Sequence, residues 1–402
     1  MAIMNFLLSA TLSNWVGKLL EALYNAIGNF GWTVVVFSII LKVVLSPLDI
    51  WQRVSTKNQQ KKMEAIKPKL EKLEKQYKNN PDLLKQKQYE VQREAKINVF
   101  ATCLPLIVTM VVFFVVFGGF RALVTYENEL IVEELDSAYV EYVEDYNLNV
   151  IKTAGKEADY EAYKTAQIAA GKTDTFFIMQ DYSNNNIEGG FVDYAKLKAA
   201  AEAEGASEEA KASFETLYNK LADTYEAHLE GDRWLWVKNI FKSDTGTTVV
   251  PDLKAYTSSG AGGIAASLDD TVMHAKYEEL TGSAQARLNK TGTWDFKNWN
   301  GYFILPLLSL LTSFLSTFIM QRNGPQSAVG TQEQQAQQQK QMKMMSYMMP
   351  IMLAVFAMLY SAAFAIYYFM SNVMATITTL AVNGIMKLID KKKAQQDVVI
   401  VK

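Results

Sequence analysis

The most constraining feature of this sequence is a long segment near its C-terminal end that carries no charged side chain. Between Lys343 and Lys387, 43 consecutive residues include no Asp, Glu, Lys or Arg. A helix needs about 20 apolar residues to cross the hydrocarbon core of a bilayer, and one tilted helix of this length would be far too long. We therefore predict two membrane spans, 344–360 and 362–386, divided near Ser361.

Three further apolar blocks complete the predicted membrane region, at residues 31–52, 98–120 and 301–321. The average composition hides this segregation, because the whole chain is 50% hydrophobic and 20% charged, with a formal net charge of −2. We expect an all-α integral membrane protein with five transmembrane helices, each long enough to cross a bilayer.

The charges of the loops predict how these spans are oriented. Lys and Arg outnumber Asp and Glu by 13 to 6 in segment 53–97, by three to one in 322–343 and by five to two in 387–402. Segment 121–300 is acidic instead, with 17 basic and 31 acidic residues. Cytoplasmic loops carry the excess of basic residues, so we place the N-terminus outside and the C-terminus inside.

Two helical segments flank the first predicted span. Residues 1–30 predict an extracytoplasmic N-terminus with an amphipathic interfacial helix, whose apolar face comprises Trp15, Leu19, Leu23, Ala26 and Phe30. Residues 53–97 predict a cytoplasmic coiled-coil hairpin, with a seam of Met63, Ile66, Leu70, Leu73 and Tyr77. Asn80 and Pro81 suit the start of its second helix. This hairpin has three possible roles: a solvated helix pair, a patch held against anionic headgroups, or a docking site for a partner.

The remaining segments predict a large acidic extracytoplasmic domain at 121–300, a cytoplasmic Gln-rich loop at 322–343 and a basic cytoplasmic tail at 387–402. The acidic domain is expected to be mostly helical, because no proline occurs between Pro105 and Pro251. No functional site can be read from its sequence. Its two histidines, His228 and His274, are expected on its surface.

Several classes of function find no support in the residues. A single cysteine, Cys103, excludes an internal disulfide, and no Cys/His cluster predicts a metal site. No phosphate-binding Gly loop or activated nucleophile is recognisable, so we expect no enzyme activity, no cofactor and no direct nucleic-acid specificity. An Arg-rich transit peptide is not recognisable either, which favours the plasma membrane of a bacterium.

Several motifs, in order along the chain, resemble those of the YidC/Oxa/Alb family of membrane protein insertases. They cover the five predicted spans and the hairpin: IILKVVLSPL followed by Met63 and Pro68, Asn98 followed by Cys103-Leu104-Pro105, Ile304-Leu305-Pro306, Met349-Pro350, and Tyr367-Tyr368 before Ser371-Asn372. The chain departs from the family pattern in four places. Lys42 stands where the family usually has Arg, Val99 replaces Pro, Ser361–Phe364 lacks a Pro-x-Gly, and the acidic region is longer.

The resemblance implies an insertase and chaperone that inserts and helps fold client membrane proteins through a hydrophilic groove bearing a basic residue. Lys42 would be that residue, since a lysine inside a span costs roughly 2.5–3.5 kcal/mol and usually faces a polar cavity or a partner. Alternatively, Lys42 extends to an interface or pairs with a carboxylate, although the other spans contain none.

Other polar side chains within the spans are candidates for lining the groove: Ser38, Ser46, Thr102, Thr109, Thr312, Ser313, Ser371 and Asn372. Each hydroxyl could instead bond to the backbone of its own helix. Implied partners are nascent or newly made membrane proteins, the lipid bilayer and, through the hairpin, the Sec translocon and the ribosome. Two other functions stay open: a transporter or channel, for which we find no internal repeat, and a membrane anchor for an extracytoplasmic interaction domain.

Overall fold

The computed structural model describes residues 15–77, 79–96, 100–246, 248–257, 271–289, 296–323 and 332–400. Over these ranges the chain is almost entirely helical and contains no β-strand, which confirms the predicted all-α class. The helices are α1 Trp15–Ile27, α2 Phe30–Gln76, α3 Pro81–Glu94, α4 Phe100–Thr153, α5 Glu157–Ala169, α6 Thr175–Asn186, α7 Tyr194–Glu202, α8 Glu208–Asp232, α9 Leu253–Thr257, α10 Thr271–Leu288, α11 Ile304–Asn323, α12 Gln332–Leu359 and α13 Ala362–Ile400.

The chain divides into two compact units. The acidic unit contains Arg121–Tyr302, and the apolar unit contains Asn14–Phe120 together with Phe303–Lys402. Helix α4 begins in the apolar unit and ends in the acidic unit, as expected from the absence of proline between Pro105 and Pro251.

Three helical segments are long and apolar enough to cross a membrane: Phe30–Trp51, Met110–Thr153 and Ala362–Ile385. Two shorter apolar segments, Ile304–Ile319 and Pro350–Leu359, lie where the other two spans are predicted. Three potential spans are thus established among the described residues, and the five-span topology stays a prediction.

The predicted hairpin forms from the second half of α2 and from α3. Helix α2 continues from the first potential span to Gln76, and Oδ1 of Asn80 then caps α3 by accepting from the Leu83 amide at 3.3 Å. Ile66 and Leu70 of the predicted seam are buried, as is Leu84 of α3. Side-chain burial along the seam therefore holds the two helices together.

Helix α1 forms where the sequence predicts it, and it packs through residues outside the predicted apolar face. Val16 and Leu20 are fully buried, whereas Trp15 and Leu19 of the predicted apolar face are exposed. A Cβ added to Gly119 of α4 would lie 2.4 Å from Cγ1 of Val16, so this close approach requires glycine.

The predicted loop at 322–343 is wrong over its described residues, and the basic tail, for which no secondary structure was predicted, is also helical. The Gln-rich loop 322–343 is helical from Gln332, and the tail 387–402 is helical to Ile400. Gln, Ala, Lys and Met have high helix propensity even without apolar periodicity, so polar composition did not exclude helices there. The predicted break near Ser361 is confirmed, since α12 ends at Leu359 and the Ser361 hydroxyl accepts from the Phe364 amide at 3.4 Å.

The core of the acidic unit is built largely from α4, α8 and α10. Residues four apart supply it: Leu135, Tyr139 and Val143 on α4, and Leu217, Leu221 and Tyr225 on α8. This spacing places each set on one helical face. His274 is exposed as predicted, but the expectation for His228 is wrong, because only 10% of its side chain is exposed.

Candidate functional site

Lys42, the predicted groove cation, lies on α2 within the first potential span. Its Nζ is 3.5 Å from Oδ2 of Asp49, and the two side chains are 19% and 27% exposed. The sequence argument looked for a carboxylate on other spans, whereas the partner lies two turns further along the same helix. The alternative of an ion-paired Lys42 therefore describes the structure, although the pair remains partly open.

Ser46, one turn after Lys42, serves the backbone of its own helix. Pro47 has no N–H, so the Val43 carbonyl lacks the hydrogen bond that a helix normally gives it. The Ser46 hydroxyl donates to that carbonyl oxygen at 2.8 Å. Ser38 is similarly occupied, since its fully buried hydroxyl donates to the Val34 carbonyl at 2.6 Å.

Small polar residues of α11 pack against α13. Ser309 donates to the Ala365 carbonyl at 3.2 Å, and Ser313 exchanges a hydrogen bond of 2.8 Å with the Tyr368 hydroxyl. Both contacts advance in the same direction along the chain, so α11 and α13 run parallel. Small side chains let two membrane helices approach closely, while the hydroxyls bond across the interface. Thr312, in contrast, donates to the Leu308 carbonyl of its own helix at 2.7 Å.

Helix α13 carries a longer polar stripe than the sequence argument identified. Asn372 is followed at helical spacings by Thr376, Thr379 and Asn383, which lie on the same side of the helix. The two threonine hydroxyls bond backbone carbonyls of α13. The signal that could have revealed the added residues is their spacing of four, three and four.

The ends of this stripe contain amide groups with unused hydrogen-bonding capacity. Nδ2 of Asn372 and Nδ2 of Asn383 are buried, and neither has a hydrogen-bond partner among the described residues. The Asn372 amide lies beside Tyr368, but no hydrogen bond of acceptable geometry joins its nitrogen to a described atom. Ser371 lies beside Tyr367 on the same helix. A buried amide needs a partner, so these two positions favour contact with water or a ligand.

An aromatic cluster joins α2, which carries Lys42, to α13, which carries the polar stripe. Phe37 of α2, Phe120 of α4 and Tyr367 of α13 pack together, with ring centroids 5.4 to 6.5 Å apart. Lys42 follows Phe37 by five residues, and Asn372 follows Tyr367 by five. The cluster packs α2 against α13. Residues five apart on a helix point about 140° away from each other, so the rings alone do not bring Lys42 to Asn372.

The contribution of α4 to this site is incompletely described. The side chains of Thr102 and Thr109 lie outside the described part of the structure, as do those of the Cys103-Leu104-Pro105 motif. Residues 97–99, with the Asn98 motif, also lie outside it. The structure therefore brings Ser313, Ser371 and Asn372 together around Tyr367 and Tyr368, while Thr102 and Thr109 stay predictions.

Comparison with known proteins supplies the family. The profile of the 60Kd inner membrane protein family matches residues 22–180 and 212–392. Proteins named membrane protein insertase YidC from Caldanaerobacter subterraneus subsp. tengcongensis and Fusobacterium nucleatum subsp. nucleatum are 32% and 33% identical over 112 and 111 residues. Each alignment covers 28% of this chain and 52% of the relative, so the chain spans about half the length of these relatives.

A relative of the same name from Helicobacter pylori is 32% identical over 99 residues, which are 25% of this chain and 17% of that protein. These alignments cover about a quarter of the chain, whereas the family profile extends over most of it. Together with the potential membrane spans, this match shows that the chain belongs to the 60Kd inner membrane protein family, the YidC/Oxa/Alb family.

Proposed function

We propose that this protein is a membrane protein insertase, which inserts and helps fold client membrane proteins. Family membership supports the proposal, as do its relatives, which are named membrane protein insertase YidC. Within the structure, the observation that carries it is the arrangement around Lys42. A partly exposed cation on an apolar helix lies five residues from an aromatic contact with α13, whose own polar stripe holds two unsatisfied buried amides.

The proposed groove reduces the cost of moving polar segments through the bilayer. An unsatisfied peptide group costs several kcal/mol in hydrocarbon, and a charged group costs more. Water and side-chain hydrogen bonds beside Lys42 and Asn372 would replace part of the hydration that a client segment loses. The client's apolar helix would then leave along the bordering helices and partition into lipid. No covalent reaction is required for this step.

Lys42 would attract acidic residues in the polar outer segment of a client. Its pairing with Asp49 does not prevent this, because both side chains are partly exposed and an incoming carboxylate can compete with Asp49 for the same cation. Asp49 also keeps the cation positioned when no client is bound.

The proposal includes the five-span topology, with the N-terminus outside and the C-terminus inside the plasma membrane. In that orientation α2, α11 and α13 all cross in the same direction, consistent with the parallel contacts of α11 and α13. The basic hairpin of α2 and α3 then lies in the cytoplasm, where it can contact the ribosome or the Sec translocon.

Reconstituted insertion tests the role of Lys42. Proteoliposomes containing wild-type protein, Lys42→Ala or Lys42→Arg would receive a client with an acidic outer tail, and a second client with a neutral tail. We expect Lys42→Ala to lower insertion of the acidic client several-fold and Lys42→Arg to retain it. Lys18→Ala, at an exposed position of α1, is the matched control. Equal insertion by the wild type, Lys42→Ala and Lys42→Arg would refute the groove.

Site-specific photocrosslinking separates the insertase from a membrane anchor. Protein with a photoreactive residue at Val43 or Val44, both exposed beside Lys42, would be reconstituted into proteoliposomes. A client would then be translated in their presence and the sample irradiated. Crosslinks to the nascent client support the proposal. Crosslinks to lipid alone would favour the anchor. In that case, replacing the spans with unrelated apolar helices should also leave the function of the protein intact.

A further inference from the structure

A second polar site lies within the acidic unit and is separate from the proposed groove. Glu127 of α4 and His228 and Asp232 of α8 bring one potential metal-ligand atom each within 4.8 Å of one another. His228 and Asp232 are four residues apart, so they project from the same face of α8. The three side chains come from two helices, and no part of the insertion mechanism uses them.

The three side chains are withdrawn from solvent. Glu127 is 5% exposed, Asp232 is 2% exposed, and the His228 side chain is 10% exposed. A divalent cation placed between them would use one donor group from each residue.

The second observation concerns the two ring nitrogens of His228. Nδ1 lies 2.9 Å from Oε2 of Glu134, a half-exposed carboxylate on α4. Nε2 is buried and has no hydrogen-bond partner among the described residues. When Nδ1–H donates to Glu134, Nε2 presents its lone pair, and it is the nitrogen left for a ligand. Metal-bound histidines are commonly oriented by this type of carboxylate contact.

The framework that carries these groups is rigidly paired. Helices α4 and α8 run antiparallel, since Glu141 pairs with Lys220 at 2.6 Å and the Tyr142 hydroxyl donates to the Ser213 carbonyl at 2.6 Å. Continuing the same register brings Glu134 to His228 and Glu127 to Asp232. Ligands on paired helices are held more precisely than ligands on loops.

We propose that Glu127, His228 and Asp232 bind a zinc ion, with Glu134 as the positioning residue that orients His228. One imidazole nitrogen and two carboxylate oxygens are a ligand set that suits Zn²⁺, with water completing its four-coordinate shell. Ca²⁺ prefers six to eight oxygen ligands and fits this set poorly. The ion joins α4 to the end of α8 and thereby stabilises the acidic unit. This inference does not depend on the proposed insertase function.

The test uses the full chain, purified in detergent with a tag that contains no histidine and freed of metal by chelation. Titration with ZnCl₂ in a calorimeter should give one equivalent of binding, with CaCl₂ binding far more weakly. Zinc in about 100-fold excess over its Kd should raise the melting temperature by roughly 5 °C. His228→Gln should weaken zinc binding by more than about 100-fold, and Glu134→Gln by about 10- to 100-fold.

The second histidine provides the matched control. His274 is exposed on α10, so His274→Gln should bind zinc as the wild type does. Far-UV circular dichroism of each variant would establish that it is folded. Glu134→Gln removes no ligand, so it still tests the proposal if His228→Gln is unstable. Absence of stoichiometric zinc binding to the wild type would overturn the proposal. Equal binding by the wild type, His228→Gln and Glu134→Gln would overturn it as well.

Discussion

Lys42 and Asp49 form an ion pair within one helix, with Nζ and Oδ2 3.5 Å apart across two turns of α2. The pair lies on a helix whose neighbouring residues Val43 and Val44 are exposed apolar side chains. Asp49 offsets part of the cost of placing a lysine in an apolar segment without burying it. The cation is therefore stabilised and still accessible.

Removal of Asp49 should leave the proposed groove active. We expect Asp49→Asn to lower the free energy of unfolding, because it removes the carboxylate that offsets part of the cost of Lys42 in an apolar segment. Insertion of a client with an acidic tail should equal or exceed that of the wild type, since no internal carboxylate then competes for Lys42. The double variant Lys42→Ala/Asp49→Asn should behave as Lys42→Ala does. Loss of insertion in Asp49→Asn alone would instead show that the ion pair itself is required.

Ser46 should matter only while Pro47 is present. Its hydroxyl donates to the Val43 carbonyl that proline leaves without an amide partner. We expect Ser46→Ala to destabilise the protein by about 1 kcal/mol, the usual contribution of such a hydrogen bond. In a Pro47→Ala background the new amide can bond to Val43, and the effect of Ser46→Ala should nearly vanish. Unfolding of the four variants in detergent measures this coupling, and equal effects in both backgrounds would contradict it.

The contact between Ser313 and Tyr368 should contribute to the association of α11 with α13. Buried hydrogen bonds between membrane helices contribute about 0.6 kcal/mol on average and up to about 1.7. A double-mutant cycle with Ser313→Ala and Tyr368→Phe should give a coupling energy in that range. Thr312→Val is the control, because its hydroxyl bonds within α11 and should show no coupling to Tyr368. Additive effects of Ser313→Ala and Tyr368→Phe would show that the contact contributes nothing to stability.

The sequence predicted the helical elements better than it predicted their partners. Long apolar segments and the Asn80 cap are local signals, so they were recognisable from residue type and spacing. The packed face of α1 depends on the close approach of Gly119 to Val16, which lies far away in sequence. The polar composition of 322–343 indicated a loop, but the segment is helical from Gln332, because residues of high helix propensity can form a helix without an apolar face.

In the candidate sites too, single residues could be recognised from the sequence more readily than the residues they contact. Lys42 stands out in the sequence as a cation within an apolar run, whereas its partner Asp49 lies seven residues away on the same helix and their pairing depends on side-chain conformation. Thr379 and Asn383 share a face with Asn372 and could have been found by extending the helical spacing. The cluster of Glu127, His228 and Asp232 could not, since about a hundred residues separate its two parts and only the pairing of α4 with α8 joins them.

Lys276 gives the acidic unit a predicted dependence on pH. Its Nζ lies 3.5 Å from Oδ1 of Asp136 and 3.3 Å from the centre of the Tyr139 ring. Burial lowers the pKa of Lys276 below its ordinary value, and the nearby carboxylates of Asp136 and Glu279 only partly oppose this. Between the folded and unfolded pKa values, the unfolded chain binds more protons at this position, so stability rises with pH.

We therefore expect the stability of the wild type, measured relative to Lys276→Met, to increase between about pH 8 and pH 10, the range just below the ordinary lysine pKa. The difference between the melting temperatures of the two proteins, measured across this range, gives the contribution of Lys276. The tyrosines are common to both proteins, so their titration does not affect this difference. Lys254→Met is the matched control, because Lys254 is exposed on α9. Its difference from the wild type should stay flat with pH. A flat difference for Lys276→Met as well would show that burial does not perturb this lysine.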